Sequence, residues 1–142
     1  MKEIITYAYE GEGIEEVYNN GEWLISIKNW REANTPAKIY RLEIHHTTDQ
    51  QFMLIEGEAA LLSCDGFGPE DEIQVTKLER GKVYNVPLGL WFNNLLSKDC
   101  KLMYVENSNA GDPPCNSEYR EMTAEQKAKM QQKVREVMGW EW

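Results

Sequence analysis

Histidine and cysteine are scarce in this chain, and positive charge is outweighed by negative. Two histidines, His45 and His46, and three cysteines, Cys64, Cys100 and Cys115, occur in 142 residues. An odd number of widely spaced cysteines builds neither a disulfide framework nor a paired-cysteine zinc site, so free thiols are the simpler reading. Lysine and arginine number 15 against 24 aspartates and glutamates, a net charge of −9, which repels a phosphate backbone or an anionic membrane over most approaches. Neither nucleic acid nor a membrane is expected as a partner. Long apolar runs are missing too: the opening Met1 to Tyr7 is soon followed by Glu10, Glu12, Glu15 and Glu16, without the stretch that a signal peptide or a membrane span requires. The expected compartment is the cytoplasm. Internal repeats, long Gly, Ser or Gln tracts, a phosphate-cradling glycine loop and a Ser, His and Asp set are also absent from the sequence.

What is present is enough for one hydrophobic core, since 42% of the residues are hydrophobic and 27% charged. One domain over residues 1–142 is expected. Between Trp23 and Glu106 the chain is a series of short runs of Ile, Val, Leu, Phe, Tyr and Trp separated by Gly, Pro, Asn and Asp, the spacing of antiparallel strands and turns. The spans read as strands are Trp23 to Lys28, Lys38 to His46, Gln51 to Glu56, Glu58 to Ser63, Ile73 to Leu78, Val83 to Val86, Trp91 to Leu95 and Lys101 to Glu106. A jelly-roll barrel or sandwich closes the edges of that many strands at this length.

After Glu106 the composition shifts. Asn107 to Ser117 is rich in Asn, Gly, Pro and Ser, and Thr123 to Met138 then reads as one helix. Thr123 with Gln126 makes a capping-box pattern, Gly139 is a C-terminal stop, and Met130, Val134, Val137 and Met138 share a face for packing on the barrel or on a partner subunit.

Strand alternation divides Lys38 to His46 into an apolar face, Tyr40, Leu42, Ile44 and His46, and another that carries Ile39, Arg41, Glu43 and His45. With the apolar face turned inward, His46 points into the barrel and His45 outward. Gln50, Phe52, Leu54, Phe92 and Asn94 complete a pocket of mostly apolar lining with a few hydrogen-bonding groups, which suits a small organic ligand. The opposing expectation is a barrel simply filled by Ile44, Phe52 and Phe92, with His46 a satisfied core histidine.

The run from His46 to Gly57 resembles the first motif of the cupin superfamily, in which two histidines two apart precede a glutamate and then a turn glycine. On that resemblance His46 takes the second histidine place, Gln50 the glutamate place and Gly57 the turn. Gly81, Pro87 and Gly89 match the second motif, with Phe92 in the place of its histidine, and Ile44 stands at the first histidine place. The resemblance implies an all-β fold, a cupin-type double-stranded β-helix or jelly-roll barrel over about residues 23–106, with a C-terminal helix over about 123–138. One of the four usual metal ligands remains, so no metal and no cofactor is expected. The resemblance also implies a homodimer, for which Ile4 to Tyr9 is a candidate exchanged strand.

Three functional expectations follow. The first is a metal-free cupin that binds a small polar metabolite, a sugar or an organic acid, in the barrel. The second is a lyase- or isomerase-type enzyme in which His46 is the general acid or base, with Gln50 and Tyr40 orienting the substrate. The third is a structural or interaction protein with a filled barrel.

Overall fold

Alternating apolar runs with glycine at their ends fold as strands wherever a second sheet is available to cover their apolar side. In the computed structural model, which describes residues 1–142, the strands are β1 (Ile14–Asn19), β2 (Trp23–Asn29), β3 (Arg41–His45), β4 (Gln50–Glu56), β5 (Ala59–Cys64), β6 (Gln74–Lys77), β7 (Val83–Val86), β8 (Trp91–Leu96), β9 (Lys101–Asn107) and β10 (Ser117–Glu121), followed by the helix α1 (Ala124–Met138). All eight expected strands are found, with ends shifted by up to three residues. β1 and β10 were not expected, and Ile4 to Tyr9, the candidate exchanged segment, forms no strand within the chain.

Two five-stranded sheets face each other, one in the order β1-β2-β9-β4-β7 and the other β10-β3-β8-β5-β6, with every pairing antiparallel. This is the double-stranded β-helix. Between the sheets an apolar plug of Phe52, Leu54, Ala59, Leu61, Leu96 and Leu102 fills one end of the interior. Gly57 makes the tight β4–β5 turn at φ 73°, where an added Cβ would come within 2.8 Å of the Asp99 backbone, so glycine is required.

A second core lies outside the barrel. Leu42 and Ile44 of β3, Ala60 and Leu62 of β5 and Leu95 of β8 turn away from the interior and pack under Met130, Val134 and Met138 of α1. The helix starts at the expected capping box: Thr123 Oγ1 accepts from the Gln126 backbone N–H, and Gln126 Oε1 accepts from the Thr123 N–H. Gly139 ends it in the left-handed conformation. Of the expected helix face, Val137 is exposed, and Gln126 is buried in its stead, donating to the carbonyls of Gly68 and Asp71. No helix of the protein is long and apolar enough to cross a membrane.

Candidate functional site

The helix decides which face of β3 looks inward. A strand buried on both sides can put its apolar residues on either, and here α1 takes Leu42 and Ile44 for the outer core. Arg41, Glu43 and His45 therefore face the interior, the reverse of the expected parity. His46 is exposed at the strand's end, with its Nε2 3.1 Å from Glu118 Oε2 on the protein surface.

The interior beyond the apolar plug is open. A cavity of about 400 Å³ is lined by 17 residues, only seven of them hydrophobic, so the barrel is neither filled nor mainly apolar. Four of the nine expected pocket residues, Tyr40, Gln50, Phe92 and Asn94, line it. Leu42 and Ile44 lie in the outer core, His46 on the surface, and Phe52 and Leu54 in the plug beneath. Phe52 meets the cavity wall only through its ring contacts with Phe92 and Tyr104, at centroid distances of 5.9 and 5.6 Å.

Register brings the polar groups together. In β10, Ser117 lies opposite His45 and Tyr119 opposite Glu43, while β9 and β4 set Glu106 opposite Gln50. Ser117 Oγ donates its one proton to the carbonyl of Ala110, so it must accept from His45 Nδ1, 2.6 Å away. That puts a proton on Nδ1; Nε2 faces the cavity, and because Gln50 Oε1 can only accept, Nε2 is paired with it only when Nε2 also carries a proton.

Around His45 Nε2 lie Gln50 Oε1 at 3.0 Å, Glu106 Oε2 at 3.2 Å and Glu43 Oε1 at 3.7 Å. Glu106 Oε2 is close to the imidazole but out of line for a hydrogen bond. It is the one fully buried side-chain oxygen or nitrogen in the protein without a partner. Burial, with Glu43 and then Glu16 as like charges, pushes the Glu106 carboxyl up to about 7, so near neutrality it carries a proton in a large share of molecules. A carboxyl that titrates near 7 thus lies beside the His45 imidazole.

Two guanidiniums also line the cavity. Arg31 Nε donates to Asn34 Oδ1 at 2.6 Å, and the Arg41 guanidinium stacks on the Tyr119 ring at 3.8 Å. Neither guanidinium has a carboxylate within salt-bridge distance. Burial pushes the Tyr104 phenol up to about 12, so it stays a neutral donor. The buried thiols offer no nucleophile: burial raises Cys64, and burial with Asp99 pushes Cys100 up to about 12.

With His45 inside, the cupin correspondence moves by one residue: Glu43 and His45 stand two apart at the histidine places, and Gln50 and Gly57 keep theirs. The donor set does not fit a cupin metal. At the motif places one imidazole, His45, and one carboxylate, Glu43, are joined by the neutral amide of Gln50, and Phe92 packs its ring 5.4 Å from that of His45 where the last imidazole would stand. Glu106 adds a second carboxylate beside His45, but the set makes no group arranged to hold an ion.

Lys28, Arg31, Glu43, His45, Glu106 and Tyr119 were all missed as pocket residues. Leu24, Ser26 and Lys28 alternate with Ile25 and Ile27 along β2, so the sequence does carry a two-faced signal there. Which face lies inside is decided by the partner sheet.

No protein-family model and no curated protein matches the chain. Solved structures do. The capsular polysaccharide assembling protein CapF from Staphylococcus aureus matches with TM-score 0.56 and 16% identity over 85% of this chain. This chain spans about a third of CapF, 33% of its length. An RmlC-like cupin family protein from Methanocaldococcus jannaschii, described as a double-stranded β-helix, matches with TM-score 0.53 and 15% identity over 80% of this chain and 97% of that one. A mutant of salicylate 1,2-dioxygenase from Pseudoaminobacter salicylatoxidans matches with TM-score 0.50 and 14% identity over 76% and 29%. The chain is a small cupin-fold protein. At such identities the likeness is one of fold, and the chemistry must be argued from the residues.

Proposed function

We propose that the barrel of this protein binds a small hydroxylated carboxylate, a sugar acid or hydroxy acid, without a metal. The observation that carries the reading is the pair of guanidiniums, Arg31 and Arg41, that line an open polar cavity with no carboxylate within salt-bridge distance. The two unpaired guanidiniums of Arg31 and Arg41 suit a carboxylate, which a planar fork of N–H donors binds in bidentate fashion. Asn34, Asn94 and Tyr104 offer further hydrogen bonds to hydroxyl groups.

A thermal-shift panel of gluconate, glucuronate, tartrate and lactate, with glucose as the uncharged control, tests this. A ligand at one hundred times its dissociation constant adds about 2.7 kcal/mol of stability. The acids should raise the melting temperature more than glucose does, and Arg41→Ala should erase the difference. Equal or absent shifts for acids and glucose would count against the reading.

A second reading, enzymatic proton transfer, has His45 rather than His46 as its acid or base. The pairing of His45 Nε2 with a carboxyl that titrates near neutrality favours it. Its signature would be hydrogen–deuterium exchange at the carbon next to the carboxylate of a bound hydroxy acid, lost in His45→Ala.

A further inference from the structure

Carboxylate recognition leaves one interior group unused. Lys28 lies near the end of β2, only 4% exposed, on the wall of the cavity. Elsewhere in the protein Lys101, Lys127 and Lys133 donate to backbone carbonyls. Lys28 donates to no group of the chain and meets no carboxylate within salt-bridge distance. Its amine has only the cavity to meet, and so confined a space hydrates an ammonium poorly and favours the neutral form.

Burial and then the Arg31 charge bring the Lys28 pKa down to about 7, against the opposing influence of Glu43 and Cys100. Arg31, Glu43 and Cys100 act on it directly, and the polar groups that share its cavity are Asn34 after β2, Arg41 and His45 on β3, Tyr104 and Glu106 on β9, and Tyr119 on β10. A lysine amine with a free lone pair in a walled cavity is a nucleophile toward carbonyl carbon.

We propose that Lys28 captures the carbonyl group of an oxo acid held in the barrel, forming a reversible imine. This rests on the reading of the cavity as a carboxylate site and adds the ligand's second functional group: a ketone or aldehyde near the carboxylate. The lone pair of Nζ bonds to the carbonyl carbon as the C=O π pair moves to oxygen, which takes a proton from the Glu106 carboxyl. The nitrogen returns one proton to the Glu106 carboxylate, and Glu106 passes it to the carbinolamine oxygen, which departs as water as the nitrogen lone pair forms the C=N bond. The iminium gives its remaining N–H proton to Glu106, restoring the carboxyl. The sum is amine plus carbonyl giving imine plus water, with no oxidant or reductant, and hydrolysis restores the lysine.

Trapping tests it. The full-length protein is incubated at pH 7 with pyruvate or glyoxylate and sodium cyanoborohydride, and the adduct is located by peptide mass spectrometry. At that pH an amine with a pKa near 7 has on the order of a thousandfold more free base than an exposed lysine. Lys28 should carry the adduct roughly tenfold or more above any surface lysine, and excess lactate should protect it. In Lys28→Arg the specific adduct should vanish. Lys28→Met, an uncharged variant, should melt no lower than the wild type and also lack the adduct. Adduct spread over surface lysines, or unchanged in Lys28→Arg, overturns the proposal. If lactate and gluconate shift the melting temperature but pyruvate leaves Lys28 unmodified, imine capture fails and the carboxylate reading stands. Trapping at Lys28 that lactate does not compete would support capture while overturning the carboxylate reading.

Discussion

The two faces of β3 carry opposite chemistry and do opposite work. Leu42 and Ile44 are sealed beneath α1, while Arg41, Glu43 and His45, interleaved with them, line a cavity. One strand thus belongs to two compartments, a dry outer core and a polar interior. In a sheet covered by a helix, apolar residues need not mark the inside of the barrel.

That contrast makes the largest expected effect a stability effect on the outer face. Leu42 is wholly buried, and Leu42→Ala should cost about 2–5 kcal/mol in a urea melt. Glu43→Gln, next to it on the inner face, should cost far less, because its neighbours are polar and the cavity is open. Similar losses from both would mean that the inner face is core as well.

Glu106 gives the interior a pH signature. Its folded pKa of about 7 lies above the ordinary 4.5, so between those values the folded state holds more protons than the unfolded state. Its contribution to stability is therefore lost as pH rises through that window. Glu106→Gln should flatten this part of the profile and make the variant more stable than wild type above pH 7, by up to roughly 3 kcal/mol. Unchanged curvature between pH 4.5 and 7 would show that the carboxyl is solvated.

Smaller effects are expected farther out. Thr123→Ala removes the capping box of α1 and should cost about 1 kcal/mol without altering ligand binding. His46→Ala breaks an exposed pair with Glu118 and should change stability by less than about 0.5 kcal/mol.

Much of the fold could be read in advance, since glycine and proline punctuation set off eight of the ten strands, and Thr123, Gln126 and Gly139 mark the helix ends that the structure has. β10 escaped because Ser117 to Glu121 is polar and lies on a sheet edge, where no apolar alternation is needed. The site was harder. Gln50, Phe92 and Asn94 do line the cavity, because β4 and β8 have the plug on their inner side, but the expected phase of β3 is one residue out. Its apolar face was assigned to the barrel when the apolar stripe of α1 required it. Arg41 and Glu43 go with that choice, and the other charged residues of the cavity lie on β2 (Lys28), just after it (Arg31) or on β9 (Glu106), whose inner faces long-range pairing selects.

Calorimetric titration of the acid that gives the strongest thermal shift, into wild type, His45→Ala and His46→Ala, tests the inward face of β3 most directly. His45→Ala should weaken binding at least roughly tenfold, about 1.4 kcal/mol, with His46→Ala indistinguishable from wild type. Loss of binding in His46→Ala alone, equal loss in both variants, or no binding of any acid to the wild-type protein would contradict it.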